Sequence, residues 1–248
     1  MKKRLLILGM IFTMAVSSAG CGSSSSDNSG KADQSKQTAT VQDSQKDTSN
    51  DSKSDNDKKD TKYKSADEIT MDDLMSHDET SAEDFEFNDG ADEIVIQKYV
   101  GKDPIVVIPD EIDGKKVVGF ESAFTLNNNI VAVKIGNNVQ EVENSAFSGC
   151  KQLKYVVMGD SVKTIGGRMF AQTNLQELVL NDGLQKIGQD DSNNVLAPPS
   201  SNSGMDLKIP ESVTELHVSE FNLIGKSGSY AEQYANEHAD VGVTFTAE

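Results

Sequence analysis

The stretch Ile130 to Gln152, "IVAVKIGNNVQEVENSAFSGCKQ", introduces a pattern that the chain then repeats. A similar stretch, "LKYVVMGDSVKTIGGRMFAQTN", begins at Leu153, and a third, "LQELVLNDGLQKIGQ", begins at Leu175. The starts lie 23 and 22 residues apart. Each repeat has apolar residues at its first, fourth and sixth positions, followed by a turn and by two more apolar residues three positions apart. Self-similarity at a fixed period of roughly 20–50 residues indicates a solenoid of stacked units.

A single repeat of this length cannot bury its own apolar side, so the repeats must stack to form a core. Stacking places the short strand of each repeat beside the next in a parallel sheet, and it aligns Val133, Val156 and Leu178 in one apolar row. Phe147 and Phe170 recur at the same offset in the first two repeats, and we expect them to form a second row. The pattern therefore predicts a mainly β protein with short turns and helices.

Degenerate copies of the repeat lie on both sides of these three. "PIVVIPDEIDGKKVVGFESAF" precedes them at residues 104–124, and "LKIPESVTELHVSEF" follows at residues 207–221. The third repeat ends abnormally, because the polar sequence "QDDSNNVLAPPSSNSG" replaces the expected phenylalanine segment after Gly188. The pattern predicts about four to five repeats of 22–23 residues, and it does not define the course of residues 189–205.

The two ends of such a solenoid need caps, because their apolar faces would otherwise meet water. At the N-terminal end, an Asp-Gly turn between two apolar segments predicts a β-hairpin from Phe85 to Tyr99. At the C-terminal end, Ser229 followed three residues later by Glu232 is typical of a helix N-terminus. We expect a short helix with Tyr230 and Tyr234 on its apolar face, followed by a last strand at "VGVTF".

The repeat resembles the BspA-like leucine-rich repeat of bacterial surface proteins, whose pattern is matched by "IGNNVQEVENSAFSGC". The segments "IPDEIDGKKV" and "GSYAEQYANEHADVGVTF" are also similar to that family, so the resemblance extends from Phe85 to Phe245. It implies a leucine-rich-repeat solenoid with a parallel sheet over residues 85–248, and a role in adhesion or host interaction. Cys150 lies where this family often has cysteine, and we expect a packed thiol there.

The N-terminus has the features of a secretory signal. Three basic residues at positions 2–4 precede a twelve-residue apolar run from Leu5 to Val16, which is too short to span a membrane as a helix. The following "SSAG" and Cys21 resemble the lipobox of bacterial lipoproteins, although Ser18 stands where leucine is commonest. The resemblance implies a signal peptide over residues 1–20, a lipid on Cys21, and anchoring on the extracytoplasmic face of a bacterial membrane. The alternative is ordinary secretion with cleavage nearby.

Two segments of contrasting charge separate the predicted anchor from the repeats. Residues 21–64 contain ten serines, eight aspartates and eight lysines but few apolar residues, so we predict a disordered tether. A coil of that length has a root-mean-square span of roughly 35–40 Å. Residues 65–97 then contain twelve acidic residues and no lysine or arginine. We interpret residues 65–84 as a solvated acidic spacer, in which Ser65 and Glu68 are spaced as in a helix start.

The residue types that carry catalysis or bind metals are too scattered in this sequence to predict a site. The three histidines, His77, His217 and His238, have no metal-ligand spacing to one another or to Cys150. The sequence contains neither a Gly-rich phosphate loop nor a nucleophile motif. The formal net charge of −17 disfavours nucleic acid as a partner. We therefore expect a monomeric non-enzyme without a cofactor or a metal.

One face of the predicted sheet is unusually apolar. Residues on either side of a buried strand residue point out of the sheet, so five apolar side chains are expected on that face: Ile105, Val107, Tyr155, Val157 and Val179. An exposed apolar patch rimmed by charge is typical of an interaction site. The alternatives are that β-branched residues simply favour strands, or that another part of the chain covers the patch.

Together these features predict a lipid-anchored bacterial surface protein that presents a leucine-rich-repeat module to protein or glycan partners. The alternative is a structural or assembly role in the cell envelope, in which the repeats dock a neighbouring membrane protein. Both hypotheses depend partly on analogy with proteins of the same fold, and a fold alone does not determine a function.

Overall fold

The computed structural model describes residues 62–189 and 196–248. The predicted signal peptide, Cys21 and almost all of the predicted tether lie outside the described residues. The described strands are β1 (Phe85–Asp89), β2 (Glu93–Tyr99), β3 (Ile105–Val107), β4 (Glu111–Ile112), β5 (Lys115–Phe120), β6 (Ala132–Lys134), β7 (Glu141–Val142), β8 (Tyr155–Val157), β9 (Thr164–Ile165), β10 (Glu177–Val179), β11 (Lys186–Ile187), β12 (Met205–Lys208), β13 (Glu215–Leu216), β14 (Phe221–Gly225) and β15 (Thr244–Ala247). The described helices are α1 (Met71–Ser76), α2 (Tyr230–Glu237) and the short 3-10 helices Ala82–Asp84, Ser200–Asn202 and Ala239–Val241.

Two parallel sheets follow the repeats, one on each side of the apolar core. The first sheet, here called the face ladder, has the strand order β3-β6-β8-β10. Its register aligns the buried central residues of the four strands, Val106, Val133, Val156 and Leu178. The apolar row predicted from the repeat spacing is therefore confirmed.

The second sheet, here called the back ladder, has the strand order β7-β9-β11-β13. Each of its strands has only two residues, and the second residue of each is buried: Val142, Ile165, Ile187 and Leu216. In the three regular repeats this position, Val142, Ile165 or Ile187, lies twelve residues after the start. Parallel ladders that join equivalent positions of successive short repeats form a solenoid, so the predicted fold class, a mainly β leucine-rich-repeat solenoid, is confirmed.

The repeated phenylalanines form the second apolar row, as predicted. The ring centroids of Phe124 and Phe147 are 5.5 Å apart, and those of Phe147 and Phe170 are 6.3 Å apart with nearly parallel planes. Cys150 lies beside this row, where its buried Sγ donates a hydrogen bond to the carbonyl oxygen of Phe124 over 2.8 Å. The expectation of a packed thiol at this position is confirmed.

Each end of the solenoid carries a cap. The N-terminal cap is a four-stranded sheet in the order β1-β2-β5-β4, and its β1–β2 pair is the predicted antiparallel hairpin. The C-terminal cap is the parallel sheet β12-β14-β15, with α2 between β14 and β15. Ser229 accepts a hydrogen bond from the N–H of Glu232, as expected for the start of α2. Tyr234 is buried against Val218, to which it is hydrogen-bonded, whereas Tyr230 is exposed.

The acidic segment differs from its prediction as a solvated spacer. Residues 65–80, here called the acidic arm, contain α1 and pack onto the face ladder. The helix starts later than expected, because Thr70 and Asp73, rather than Ser65 and Glu68, form its capping box. The arm is ordered because two of its few apolar side chains, Ile69 and Leu74, are buried, which offsets part of the entropy lost on ordering.

Candidate functional site

The acidic arm covers most of the apolar patch that the sequence predicts on the face ladder. Leu74 is completely buried, and it belongs to one apolar cluster with Ile105, Val107 and Val157, which are 6%, 7% and 7% exposed. The expectation that these three side chains are exposed is therefore wrong. The physical reason is that another part of the same chain, the acidic arm, shields them from water.

Two polar contacts hold the arm in place. The Nζ of Lys154, a largely buried side chain, donates to the carbonyl oxygen of Ala66 over 2.9 Å and to Asp67 over 3.2 Å. Farther along the arm, the N–H of Thr80 donates to the carbonyl oxygen of Val107, and the N–H of Val107 donates to the Oγ1 of Thr80. The outer edge of β3 is therefore closed by hydrogen bonds.

The other end of the face ladder is not covered in this way. Val179 on β10 is 39% exposed, and Tyr155 is half-buried with its hydroxyl 3.3 Å from the Oε1 of Gln176. Of the five side chains expected to form a binding patch, these two are accessible to a partner. Their role in binding remains a prediction.

The face ladder is interrupted after β10. In the regular repeats, the N–H that follows a strand donates to the next strand: Ile108 to Lys134, Ile135 to Val157 and Met158 to Val179, each over 2.9 Å. The equivalent donor, the N–H of Leu180, has no hydrogen-bond partner among residues 62–189 and 196–248. The ladder resumes one strand later, where Ile209 donates to Ile224 over 2.9 Å.

The back ladder passes the same point without a break. The N–H of Gly166 donates to Val142, that of Gly188 donates to Ile165, and that of His217 donates to Ile187, each over 2.8 Å. Strands β11 and β13 are therefore paired, whereas β10 and β12 in front of them are not. The backbone hydrogen bonds between these two repeats are therefore interrupted on the side of the face ladder and continuous on the side of the back ladder.

The opening forms a cleft of about 720 Å³, here called the ladder cleft. One wall is the segment 176–180, and the other contains Gly204, Met205, Asp206 and Lys208. A smaller cavity of about 330 Å³ shares Lys208 with the ladder cleft and extends from it toward α2.

Three acidic side chains line the ladder cleft: Glu177, Asp182 and Asp206. The basic side chain of the cleft, Lys208, is 2.7 Å from the carboxylate of Glu248. The Nδ2 of Asn222 donates to Asp206 over 2.7 Å, which leaves the negative charge of Asp206 in place. The side chains of the cleft therefore carry an excess of negative charge.

Sequence and charge explain why the ladder opens here. In the repeat register, Asp206 occupies the position of Glu177, and like charges on directly opposite strand positions destabilise pairing by roughly 0.2–1 kcal/mol. The irregular sequence after Gly188 also replaces the regular turn that would bring β12 into register for pairing with β10. One backbone group just before β10 is hydrogen-bonded by a side chain instead of a strand: the Nδ2 of Asn202 donates to the carbonyl oxygen of Leu175 over 3.0 Å.

The cysteine and histidine side chains discussed above make contacts that stabilise the fold. Burial raises the pKa of the Cys150 thiol to about 11, so it remains protonated at neutral pH. The Nε2 of His217 lies 3.1 Å from the carboxylate of Glu215, which also contacts Lys186 and has a lowered pKa because of that hydrogen bond. Within the described ranges, no cluster of three or more His, Cys, Asp or Glu side chains is arranged to hold a metal ion.

Comparison with known proteins finds similarity over the repeats. Residues 120–224 match the BspA type leucine-rich repeat region in six copies, whereas the spacing of the repeats predicts about four to five. The chain is also similar to the crystal structure of a leucine-rich repeat protein of T. pallidum, with 28% sequence identity and a TM-score of 0.48 over 59% of this chain and 71% of that one. No curated protein matches the chain in sequence. The described fold is a leucine-rich-repeat solenoid, and the family match lies within its repeats.

The described helices are short. Neither of the two α-helices, of six and eight residues, has the length and apolar character that a membrane span requires.

Proposed function

We propose that this chain is a lipid-anchored protein of the bacterial cell surface, whose leucine-rich-repeat domain binds a protein or glycan partner. A module of this fold is suited to binding rather than to chemistry, since stacked repeats offer extended surfaces without a catalytic constellation. The observation that carries the proposal is the accessible end of the face ladder, where Val179 and the ladder cleft lie beyond the acidic arm.

Anchoring through Cys21 is supported by the sequence around it. The basic start, the short apolar run and the small residues before Cys21 form a coherent lipoprotein signal. We expect cells that express the protein to incorporate labelled palmitate into it and to retain it in the membrane fraction. The variant Cys21→Ser should lose both the label and the membrane retention. Equal labelling of the variant would refute the anchor.

Partner binding is tested by cross-linking the purified protein to intact cells of its own species and to host matrix. Val179→Asp places a charge beside the ladder cleft, and Met75→Asp is a matched control because Met75 is an exposed apolar residue on α1. We expect both variants to fold, and only Val179→Asp to lose the cross-linked partner. Loss in both variants, or in neither, would show that binding does not use this end of the face ladder.

An assembly role in the envelope is the second candidate, and the predicted tether favours it. A coil spanning roughly 35–40 Å keeps the repeats close to the membrane, where a neighbouring membrane protein can reach them. Brief protease treatment of intact cells separates the two roles. Release of the repeat domain supports surface display, whereas full protection supports a position within the envelope.

A further inference from the structure

We infer that the part of the face ladder beneath the acidic arm is a second docking surface, which binds an acidic amphipathic segment of a partner protein when the arm leaves it. The arm is thus an intramolecular occupant that regulates access. This inference goes beyond the proposed function, because that function concerns the accessible end of the face ladder at Val179. The covered surface, here called the arm surface, consists of the outward side chains of Ile105, Val107, Ala132, Lys134 and Val157.

The arm surface is separate from the core of the repeats. Ile105, Val107 and Val157 belong to an apolar cluster that the arm completes on the outward face of the sheet. The main core lies on the opposite face of the same strands and contains their central residues, among them Val106 and Val156. Departure of the arm therefore leaves the repeat core in place and exposes an apolar patch, which is typical of an interaction site.

The arm is held by few contacts. Its helix α1 has six residues, and a helix of that length is not stable on its own. Within the arm, the buried residues are Ile69, Leu74 and Thr80. The ion pair between Lys154 and Asp67 adds little, because the side chain of Asp67 is 98% exposed and water screens the pair. A segment with so few buried contacts opens locally more readily than the repeats beneath it.

The charge of the arm surface is not fully matched by the arm. Lys134 lies between Val107 and Val157 in the strand register, and it is half-buried. Its ammonium group has no hydrogen-bond or ion-pair partner within residues 62–189 and 196–248, although the arm is strongly acidic. Withdrawing a charge from water is unfavourable unless an opposite charge compensates for it. A segment that brings carboxylates to both Lys134 and Lys154 therefore complements the arm surface better than the arm does.

The contacts of the arm define the class of partner. Ile69 and Leu74 fill the apolar cluster, and the segment just before them supplies the carbonyl oxygen of Ala66 and the carboxylate of Asp67 to Lys154. A competing segment therefore carries two aliphatic residues five positions apart, with acidic residues before and around them. Such a segment docks its apolar side on the sheet and leaves its polar side in water.

The first test releases the arm in the full chain. The variants are Leu74→Asp and Leu74→Ser, and the probe is a synthetic peptide of residues 64–80, whose affinity is measured by titration. Hydrogen exchange at the Thr80 amide reports release of the arm, and protection of the back ladder reports that the repeats remain folded. We expect the probe to bind both variants at least about tenfold more tightly than the unmodified protein, because a docked arm lowers the fraction of molecules that can bind.

The second test asks whether a foreign segment fits better than the arm. A displayed peptide library keeps the residues equivalent to Ile69 and Leu74, varies the others, and is selected on Leu74→Asp. We expect enrichment of aspartate and glutamate, and peptides that bind at least about tenfold more tightly than the probe. Adding Lys134→Met to the variant should weaken the selected peptides by about fivefold and the probe by less than about twofold. The control Lys151→Met, at an exposed lysine, should change neither affinity.

Four results would overturn the inference: unchanged exchange at Thr80 in both release variants, equal affinity of the probe for released and unmodified protein, no selected peptide better than the probe, or dimers of the unmodified protein that the probe dissociates. The last result would assign the arm surface to a second copy of this chain. If a partner is captured through Val179 while the peptides fail, the proposed function stands and this inference falls. If no partner is captured but the selected peptides bind through Lys134, the reverse holds.

Discussion

The two edges of the face ladder are built from the same repeat, yet one is closed and the other is open. At β3, the acidic arm supplies Leu74 for the apolar surface and Thr80 for the backbone groups. At β10, the next strand arrives with Asp206 opposite Glu177, and the backbone ladder fails. The repeat therefore defines the strand, whereas the segment that meets it decides whether the backbone groups of its edge find hydrogen-bond partners.

The largest expected effect comes from removing the apolar contact of the closed edge. Leu74→Ala deletes a completely buried side chain, so we expect it to weaken docking of the acidic arm by about 2–5 kcal/mol. Hydrogen exchange at the amides of Thr80 and Val107 should then accelerate while the back ladder remains protected. The control Met75→Ala alters an exposed residue on the same helix and should change docking by less than about 0.5 kcal/mol. Similar acceleration in the control would contradict this account.

Removing the polar contact of the arm should have a smaller effect. Lys154→Met keeps most of the aliphatic side chain but leaves the carbonyl oxygen of Ala66 without its donor, at a cost of about 1–3 kcal/mol. Exchange of the arm amides measures this loss. Lys151→Met, at an exposed position nearby, is the matched control and should behave like the unmodified protein. An unchanged arm in Lys154→Met would show that the apolar contact alone is sufficient.

Closing the open edge is the converse experiment. Glu177→Thr removes the like charge opposite Asp206 and introduces a β-branched residue, so we expect stabilisation by about 0.2–1 kcal/mol and slower exchange at the Leu180 amide. Glu141→Thr makes the same change in the back ladder, where the neighbouring strand residue is the uncharged Thr164. The difference between the two urea midpoints isolates the charge effect. A smaller gain for Glu177→Thr than for Glu141→Thr would exclude repulsion as a cause of the opening.

The smallest expected effect is a pH dependence confined to the arm. The pKa of Asp73 lies below its ordinary value, mainly because its carboxylate accepts a hydrogen bond from Lys64 and also because it accepts one from the N–H of Thr70. A lowered pKa in the folded state gives stabilisation above about pH 4, which is lost as the pH falls through the folded pKa. Amide exchange at Leu74, corrected for intrinsic rates, should therefore rise in acid. Asp73→Asn should lack this dependence, and its persistence in that variant would assign it to other groups.

Periodicity in the sequence is sufficient to predict the face ladder and both apolar rows, whereas the back ladder of two-residue strands is not predicted by it. The two caps can also be predicted from local sequence signals, namely the turn residues within Phe85–Tyr99 and the spacing of Ser229 and Glu232. These features could be predicted because each repeat copies the same local pattern of buried residues. An irregular course was expected for residues 189–205, and the interruption of the ladder lies next to that segment.

The acidic arm could not be predicted from the same signals. Ile69 and Leu74 are isolated apolar residues within a strongly acidic segment, and local composition favours a solvated chain there. Their burial depends on a surface that forms only after the distant residues Ile105 and Val157 have been brought together. The capping box of Thr70 and Asp73 was a visible signal for the start of α1, but a similar spacing at Ser65 competed with it.

The one-sided opening at β10 also divides the molecule as a folding unit. In a solenoid, cooperativity depends on the coupling between neighbouring repeats, and at this joint β11 and β13 are the paired strands among the described residues. We expect the segment from β12 to the C-terminal cap to unfold at a lower denaturant concentration than the repeats before it. Hydrogen exchange at increasing urea would resolve two steps, and a single step would indicate that one continuous ladder couples the whole array.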